Sequence, residues 1–284
     1  MKTMNYNSAA ALRAFLEEEG LGMRKKFGQN FLINPAVRQS LADALGADAG
    51  EEVWEIGPGL GAMTALLLER GLNVKAFEID TGFIRVLKRL FADEKKFSLV
   101  EGDAMKTWNS QEPASFLLGN LPYNVAAALL ADLIEKGRLF TRMVVTVQKE
   151  VALRMAARAD SPDYSSFSVL CASAYSVKPL MTIRPSSFYP QPNVDSMGVL
   201  LENRMAPKYP SVFYPLVRSL FASRRKTVKN NLLAFISSRL GKSGTQDLCA
   251  ALLRENGLNG SERAENLEPE LFLSLAKTIE NVRL

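Results

Sequence analysis

Val53-Trp54-Glu55-Ile56-Gly57-Pro58-Gly59-Leu60-Gly61 reads as a short apolar strand running into a glycine-rich turn, and Met63 to Arg70 behind it reads as a helix closed by Gly71. Strand, glycine turn and helix in that order form the opening unit of an α/β sheet. Outward from it the alternation continues: Val74 to Ile79 a strand, Phe83 to Phe91 a helix, Phe97 to Val100 a strand ending at Gly102-Asp103. Phe116 to Leu118 is a further strand, Ala126 to Lys136 a helix stopped by Gly137, and Met143 to Val147 a fifth strand. Repeated βα units of this length imply a parallel sheet covered on both faces. Beyond a helix at Glu150 to Ala157 the pattern changes. Phe167 to Val177, Leu180 to Ile183 and Met197 to Leu201 read as strands without intervening helices, an antiparallel addition at the sheet edge. From Tyr209 the pattern is helical: Phe213 to Phe221, Thr227 to Leu240, Gln246 to Glu255 and Pro269 to Val282. At the other end, residues 5 to 19 read as a short helix capped by Asn7 or Ser8, and Asn34-Pro35 opens a helix that runs to Gly46. The expected division is an N-terminal extension (1–20), a sheet domain (21–205) and a smaller all-helical domain (206–284).

Two cysteines, Cys171 and Cys249, lie far apart without metal-ligand spacing, and no histidine occurs among the 284 residues. His-based triads and His-metal sites are thereby removed, and carboxylates, amides, Tyr and Lys are left for chemistry. No metal is expected. No stretch approaches the ~20 apolar residues of a membrane span, and Glu17-Glu18-Glu19 suits neither a secretory nor a transit segment, so a cytoplasmic protein is expected. Charge is unevenly placed: from Asn203 onward there are 13 Lys or Arg against 7 Asp or Glu, whereas residues 1–202 carry 22 against 23. A basic C-terminal piece points to a polyanion such as nucleic acid, with a solvated basic surface as the plain alternative.

Gly57, Gly59 and Gly61 let the backbone turn tightly and let a ligand approach it. Glu78, 21 residues after Gly57, ends the second strand where an acid can accept ribose hydroxyls. Gly57-x-Gly59-x-x-Ala62 also fits a relaxed dinucleotide fingerprint, so a nicotinamide cofactor stays as the rival. Asp103, after Gly102 at the third strand end, is placed to accept an adenine amine. That favours an adenosine with no required pyrophosphate, as in S-adenosyl-L-methionine. Asn120-Leu121-Pro122-Tyr123 then follows the fourth strand. Its plain reading is a Pro-stiffened turn with a half-buried Tyr; its chemical reading is an amide, a carbonyl and a ring presented at the ligand-binding edge of the sheet.

Five stretches share the order and spacing of one family: Phe27-Gly28-Gln29-Asn30-Phe31-Leu32, the Glu55 to Gly61 loop, Gly102-Asp103-Ala104, Asn120 to Tyr123, and Phe188-Tyr189-Pro190-Gln191-Pro192-Asn193-Val194-Asp195-Ser196. The chain resembles the ribosomal RNA adenine N6,N6-dimethyltransferases, in their small-subunit branch. The likeness runs from about Gly22 to the C-terminus and includes Phe221 to Thr227 and Arg263 to Leu267. It departs at Ala126-Ala127, where small hydroxylated residues are usual, and near Ser165-Ser166-Phe167, where a Tyr-Gly pair is usual.

The resemblance implies a Rossmann-like S-adenosylmethionine-dependent methyltransferase sheet with a helical RNA-binding domain. It implies that Gln29, Asn30 and Leu32 close over the cofactor, that Gly57, Gly59 and Gly61 lie beneath its methionine part, and that Glu78 with Ile79 holds the ribose side. Asp103 and Ala104 would hold the adenine, and Asn120 would touch both cofactor and substrate. Asn120, Leu121, Tyr123 and Phe188 would handle a flipped adenine. Lys25, Lys26, Arg218, Arg224, Arg225, Lys226 and Lys229 would meet RNA phosphate. The implied partner is small-subunit ribosomal RNA within the immature subunit, met by a monomer away from any membrane. The alternatives are a large-subunit adenine methyltransferase of the antibiotic-resistance branch and a non-catalytic RNA-binding assembly factor.

Overall fold

The computed structural model describes residues 4–22, 29–205, 209–240 and 244–282. The elements run α1 (Ala9–Glu18), β1 (Phe31–Leu32), α2 (Pro35–Leu45), β2 (Glu52–Ile56), α3 (Ala62–Glu69), β3 (Asn73–Glu78), α4 (Thr81–Leu90) and β4 (Phe97–Glu101). They continue with α5 (Ala104–Thr107), β5 (Phe116–Asn120), α6 (Ala126–Glu135), β6 (Arg142–Gln148), α7 (Lys149–Ala156), α8 (Ser166–Ala174), β7 (Tyr175–Ile183), β8 (Phe188–Tyr189) and β9 (Ser196–Asn203). Four helices follow: α9 (Phe213–Phe221), α10 (Val228–Leu240), α11 (Thr245–Glu255) and α12 (Pro269–Asn281).

The main sheet has seven strands in the order β4-β3-β2-β5-β6-β9-β7. Strands β4 through β6 pair in parallel and β9 joins β6 antiparallel. Strand order reverses between β2 and β5, so the chain enters the sheet at β2 and winds outward in both directions. The crevice at the carboxyl ends of those two strands is where such sheets bind ligands. β2 and β5 carry enclosed apolar side chains on both faces because helices cover both sides; Val53, Trp54, Leu117 and Leu118 are all enclosed.

A second ladder was not anticipated. Short β1 pairs antiparallel with β8, Phe31 opposite Tyr189 and Leu32 opposite Phe188, and so joins two stretches some 157 positions apart in the chain. Two-residue strands carry no readable alternation, so only the fold can pair them.

One expected strand is a helix. Ser166–Ala174 forms α8, and the strand begins only at Tyr175. The Ser165 N–H donates to Ser168 Oγ at 3.0 Å and starts the helix, while the small residues Ser168, Cys171 and Ala174 let it be buried nearly all round. A short apolar run buried on every side looks alike as strand or helix in a sequence. Pro179, expected to separate two strands, instead sits within β7, a sheet edge where a missing N–H breaks no ladder.

The chain divides into two compact units. One comprises Met1–Ala152 and Val177–Asn203; the other Leu153–Ser176 and Arg204–Leu284. The helical unit has its own core, in which Phe213, Leu216, Leu232, Ile236 and Phe272 pack with Tyr164 and Val169. Among the described residues no helix is long and apolar enough to cross a membrane.

Candidate active site

Gly57, Gly59 and Gly61 hold φ values of +71°, +58° and +88°, the left-handed region that costs a side chain free energy. Space is short as well as φ. A Cβ on Gly59 would lie 2.9 Å from the Phe31 ring, and one on Gly61 would lie 2.6 Å from Phe91. The loop thus curls under β1 and hands the chain to α3.

Its neighbour Glu78 closes β3 and is nearly buried. One carboxylate oxygen accepts from Ile79 N at 2.9 Å and Asp80 N at 2.8 Å; the other accepts from Gly59 N at 3.2 Å. A carboxylate has about four acceptor directions, so ribose hydroxyls would meet it on the Gly59 side. Burial pushes the Glu78 acid up to about 7, against the pull of those three backbone N–H groups. Glu55, enclosed on β2 and accepting from Thr64 Oγ1 at 2.6 Å, is likewise pushed up to about 7, first by burial and further by Glu78.

One cavity spans this region. Its walls include Asn30, the glycine loop, Glu55, Glu78, Ile79 and Asn120, so a single hollow joins the β1 segment, three strand ends and the start of the Asn120 turn. Ile79 is 42% exposed, a large apolar side chain left open at the rim where a flat base could lie. These features fit S-adenosylmethionine: a cradle only glycine can line, a fixed carboxylate and an apolar shelf. Asp103 and Ala104 stand at the next strand end and do not line the cavity. The Asp103 carboxylate accepts from Met105 N at 3.0 Å and caps α5. Gln29 donates from Nε2 to Asp80 at 3.2 Å.

Asn120 is the last residue of β5, and its Nδ2 donates to the Asn30 carbonyl at 2.7 Å. That bond turns the amide so that its oxygen remains as an acceptor. Leu121 N donates to the Thr146 carbonyl at 3.1 Å, while Val125 and Ala126 both donate to the Pro122 carbonyl. The turn therefore closes on Pro122 and passes over the Leu121 carbonyl. The Leu121 side chain is buried. Tyr123 is half-buried, its phenol 2.5 Å from the hydroxyl of enclosed Ser196, and burial raises its pKa.

Phe188 is placed differently from these. Its ring is 1% exposed and packs with Leu32, Ile183 and Val144 in the sheet core, so the Tyr123 ring is presented and the Phe188 ring is enclosed. In the helical unit, Arg218 lies in the last turn of α9, Arg224, Arg225 and Lys226 occupy the connection to α10, and Lys229 lies in the first turn of α10. All five are exposed. Arg224 donates from Nε and Nη2 to Glu265 at 3.1 and 2.9 Å. Lys25 and Lys26, with Phe27 and Gly28, lie outside the described residues.

Sequence reasoning missed four participants. Buried Asp80 caps α4 by accepting from Gly82 N at 2.8 Å and also holds Gln29; an Asp before a helical run was a readable cap signal. Ser196, partner of the Tyr123 phenol, had no local sign. Nor had Tyr6 and Leu12, which line the cavity from the N-terminal helix region.

Comparison with known proteins gives a consistent picture. The family model described as ribosomal RNA adenine dimethylase matches residues 20–281. The ribosomal RNA small subunit methyltransferase A of Treponema denticola is 46% identical, over 97% of this chain and 96% of that protein. A crystal structure of a dimethyladenosine transferase from Plasmodium falciparum superposes with a TM-score of 0.73 at 26% identity, covering 88% of this chain and 98% of that one. The 23S rRNA methyltransferase ErmE superposes at 0.63 with 20% identity, covering 88% and 99%, which shows a shared fold.

Proposed function

The chain belongs to the ribosomal RNA adenine dimethylase family, and from that membership we infer that it methylates N6 of two adjacent adenines in the 3′-terminal hairpin of small-subunit ribosomal RNA, giving N6,N6-dimethyladenosines. It is an S-adenosyl-L-methionine-dependent adenine dimethyltransferase. The immature small subunit, in the cytoplasm, is its proposed substrate.

Bound S-adenosylmethionine supplies an electrophilic methyl group on a sulfonium. The protein's part is to aim a poor nucleophile at it, since the N6 lone pair is delocalised into the adenine ring. The Asn120 side-chain oxygen and the Leu121 carbonyl accept the two N6 hydrogens and turn the lone pair toward the methyl. No histidine is needed. Tyr123, its phenol held by Ser196, supplies a stacking face for the flipped base, worth about 1 to 3 kcal/mol. Phe188, enclosed beside Leu32, braces the ladder that carries Asn30. Each transfer would form an N6–C bond as the methyl's bond to sulfur breaks, and N6 would then give up one proton to solvent. A single hydrogen remains after the first methyl, so the second transfer proceeds with one of the two acceptors engaged.

The observation that carries this reading is the bond from Asn120 Nδ2 to the Asn30 carbonyl. It ties the proposed substrate amide to the cofactor-closing segment and fixes which end of the amide faces the base. The test is to incubate unmodified small and large subunits with the protein and labelled cofactor and to map the product by mass. Two dimethylated neighbours near the 3′ end are expected. Label confined to large-subunit RNA would overturn the assignment.

A further inference from the structure

The cofactor cavity has a wall that the motifs do not account for. Tyr6 and Leu12 line it together with Leu32, Glu55, Ala62 and Met63, yet they belong to the segment ahead of the first recognised motif. Leu12 is 1% and Leu16 4% exposed, and both pack with Leu60 of the glycine loop and with Phe83 and Val86 of α4. This helix is fastened at both ends. At its start, Arg38 on α2 donates to the Leu32 carbonyl at 2.7 Å, to the Tyr6 carbonyl at 3.5 Å and to the Asn7 side chain. At its end, Glu19 pairs with Arg89 on α4 at 2.5 Å. Midway, Arg13 Nε donates to the Tyr189 hydroxyl at 3.2 Å, and Tyr189 is the ladder partner of Phe31.

We propose that residues 6–19 are a built-in wall of the cofactor site, in which the Tyr6 ring contacts the bound cofactor and Arg38 latches the wall to the β1 segment. The inference rests on the S-adenosylmethionine reading above. Arg38 is a positioning residue: it holds Tyr6 and Leu32 to one guanidinium, so the wall and the cofactor-closing strand move together. Tyr6 stands at the Glu55 end of the cavity, the end beside the glycine loop that cradles the amino-acid part of the cofactor. Burial pushes its phenol up, with Glu55 the largest electrostatic contributor, so the side chain is neutral and its ring acts as an apolar face.

The test is calorimetric titration of the full chain with S-adenosylmethionine, comparing Tyr6→Ala and Tyr6→Phe with the parent and recording each melting temperature without cofactor. Tyr6→Ala should bind about tenfold more weakly with an unliganded melting temperature close to the parent's, and Tyr6→Phe should bind within about twofold of the parent. Equal binding by Tyr6→Ala would overturn the inference alone. Equal loss in Tyr6→Phe and Tyr6→Ala would overturn the assignment to the ring. No binding by the parent would sink the cofactor reading, and this inference with it. Hydrogen exchange on the unmodified chain gives a second measure: amides of 9–18 should gain protection on adding cofactor, and unchanged exchange there would count against the wall.

Discussion

At the residue scale three side chains, Asn120, Glu55 and Glu78, set what the site does with substrate and with protons. Asn120→Ala removes the acceptor proposed for the substrate and leaves the glycine cradle untouched, so cofactor affinity should hold within about threefold while methyl transfer falls by roughly 10²- to 10³-fold. Calorimetry and a transfer assay on the same preparation separate the two; full transfer by the variant would remove Asn120 from the chemistry. Glu55 and Glu78 make a statement about pH. Each has a folded-state pKa of about 7 against 4.5 for an ordinary glutamate. The folded protein therefore binds more protons than the unfolded chain between those values, and stability falls as pH rises through that window. Each acid can contribute up to about 3 kcal/mol to that fall. The unliganded protein should melt lower at pH 8 than at pH 5.5, and Glu55→Gln should flatten the difference. A slope unaltered in Glu55→Gln would contradict the burial argument.

At the scale of elements, what was legible depended on period and punctuation. β2, β3, β5 and β6 were readable because each is an apolar run closed by a glycine or polar turn, and the strand ends then placed Glu78 and Asn120 without further information. α8 was misread because Ser, Cys and Ala in a fully buried run carry neither helical nor strand period. The β1–β8 ladder and the Tyr123–Ser196 bond were invisible because they join stretches distant in sequence, and only the finished sheet sets that register. The glycine loop supplies the prediction at this scale. Gly61→Ala faces both φ +88° and the Phe91 ring, so it should cost about 2 kcal/mol and lower the melting temperature by roughly 5 °C. Gly59→Ala presses on the Phe31 ring of β1, beside the residues proposed to close over the cofactor, and should weaken cofactor binding. Parent-like melting of Gly61→Ala would show that the loop can take another shape.

At the scale of the whole molecule, charge and chain path divide the labour. The basic excess of the sequence lies in the helical unit, where Arg225, Lys226 and Lys229 stand exposed around the α9–α10 connection. Arg225→Ala should weaken binding to small subunits and reduce the salt slope of that binding by about 1. Arg224→Ala should change it less, because Glu265 already neutralises part of that charge; equal slopes for Arg225→Ala and the parent would remove Arg225 from the phosphate contacts. The chain also passes between the two units three times, and Tyr164 and Val169, from the middle of the sequence, are built into the helical core. Heredity feels that arrangement. A single recombination breakpoint at the apparent boundary near residue 203 would hand a recipient gene a helical unit with a hole in its core and leave the donor an unclothed segment, so this unit descends with its sheet and cannot be traded as a cassette.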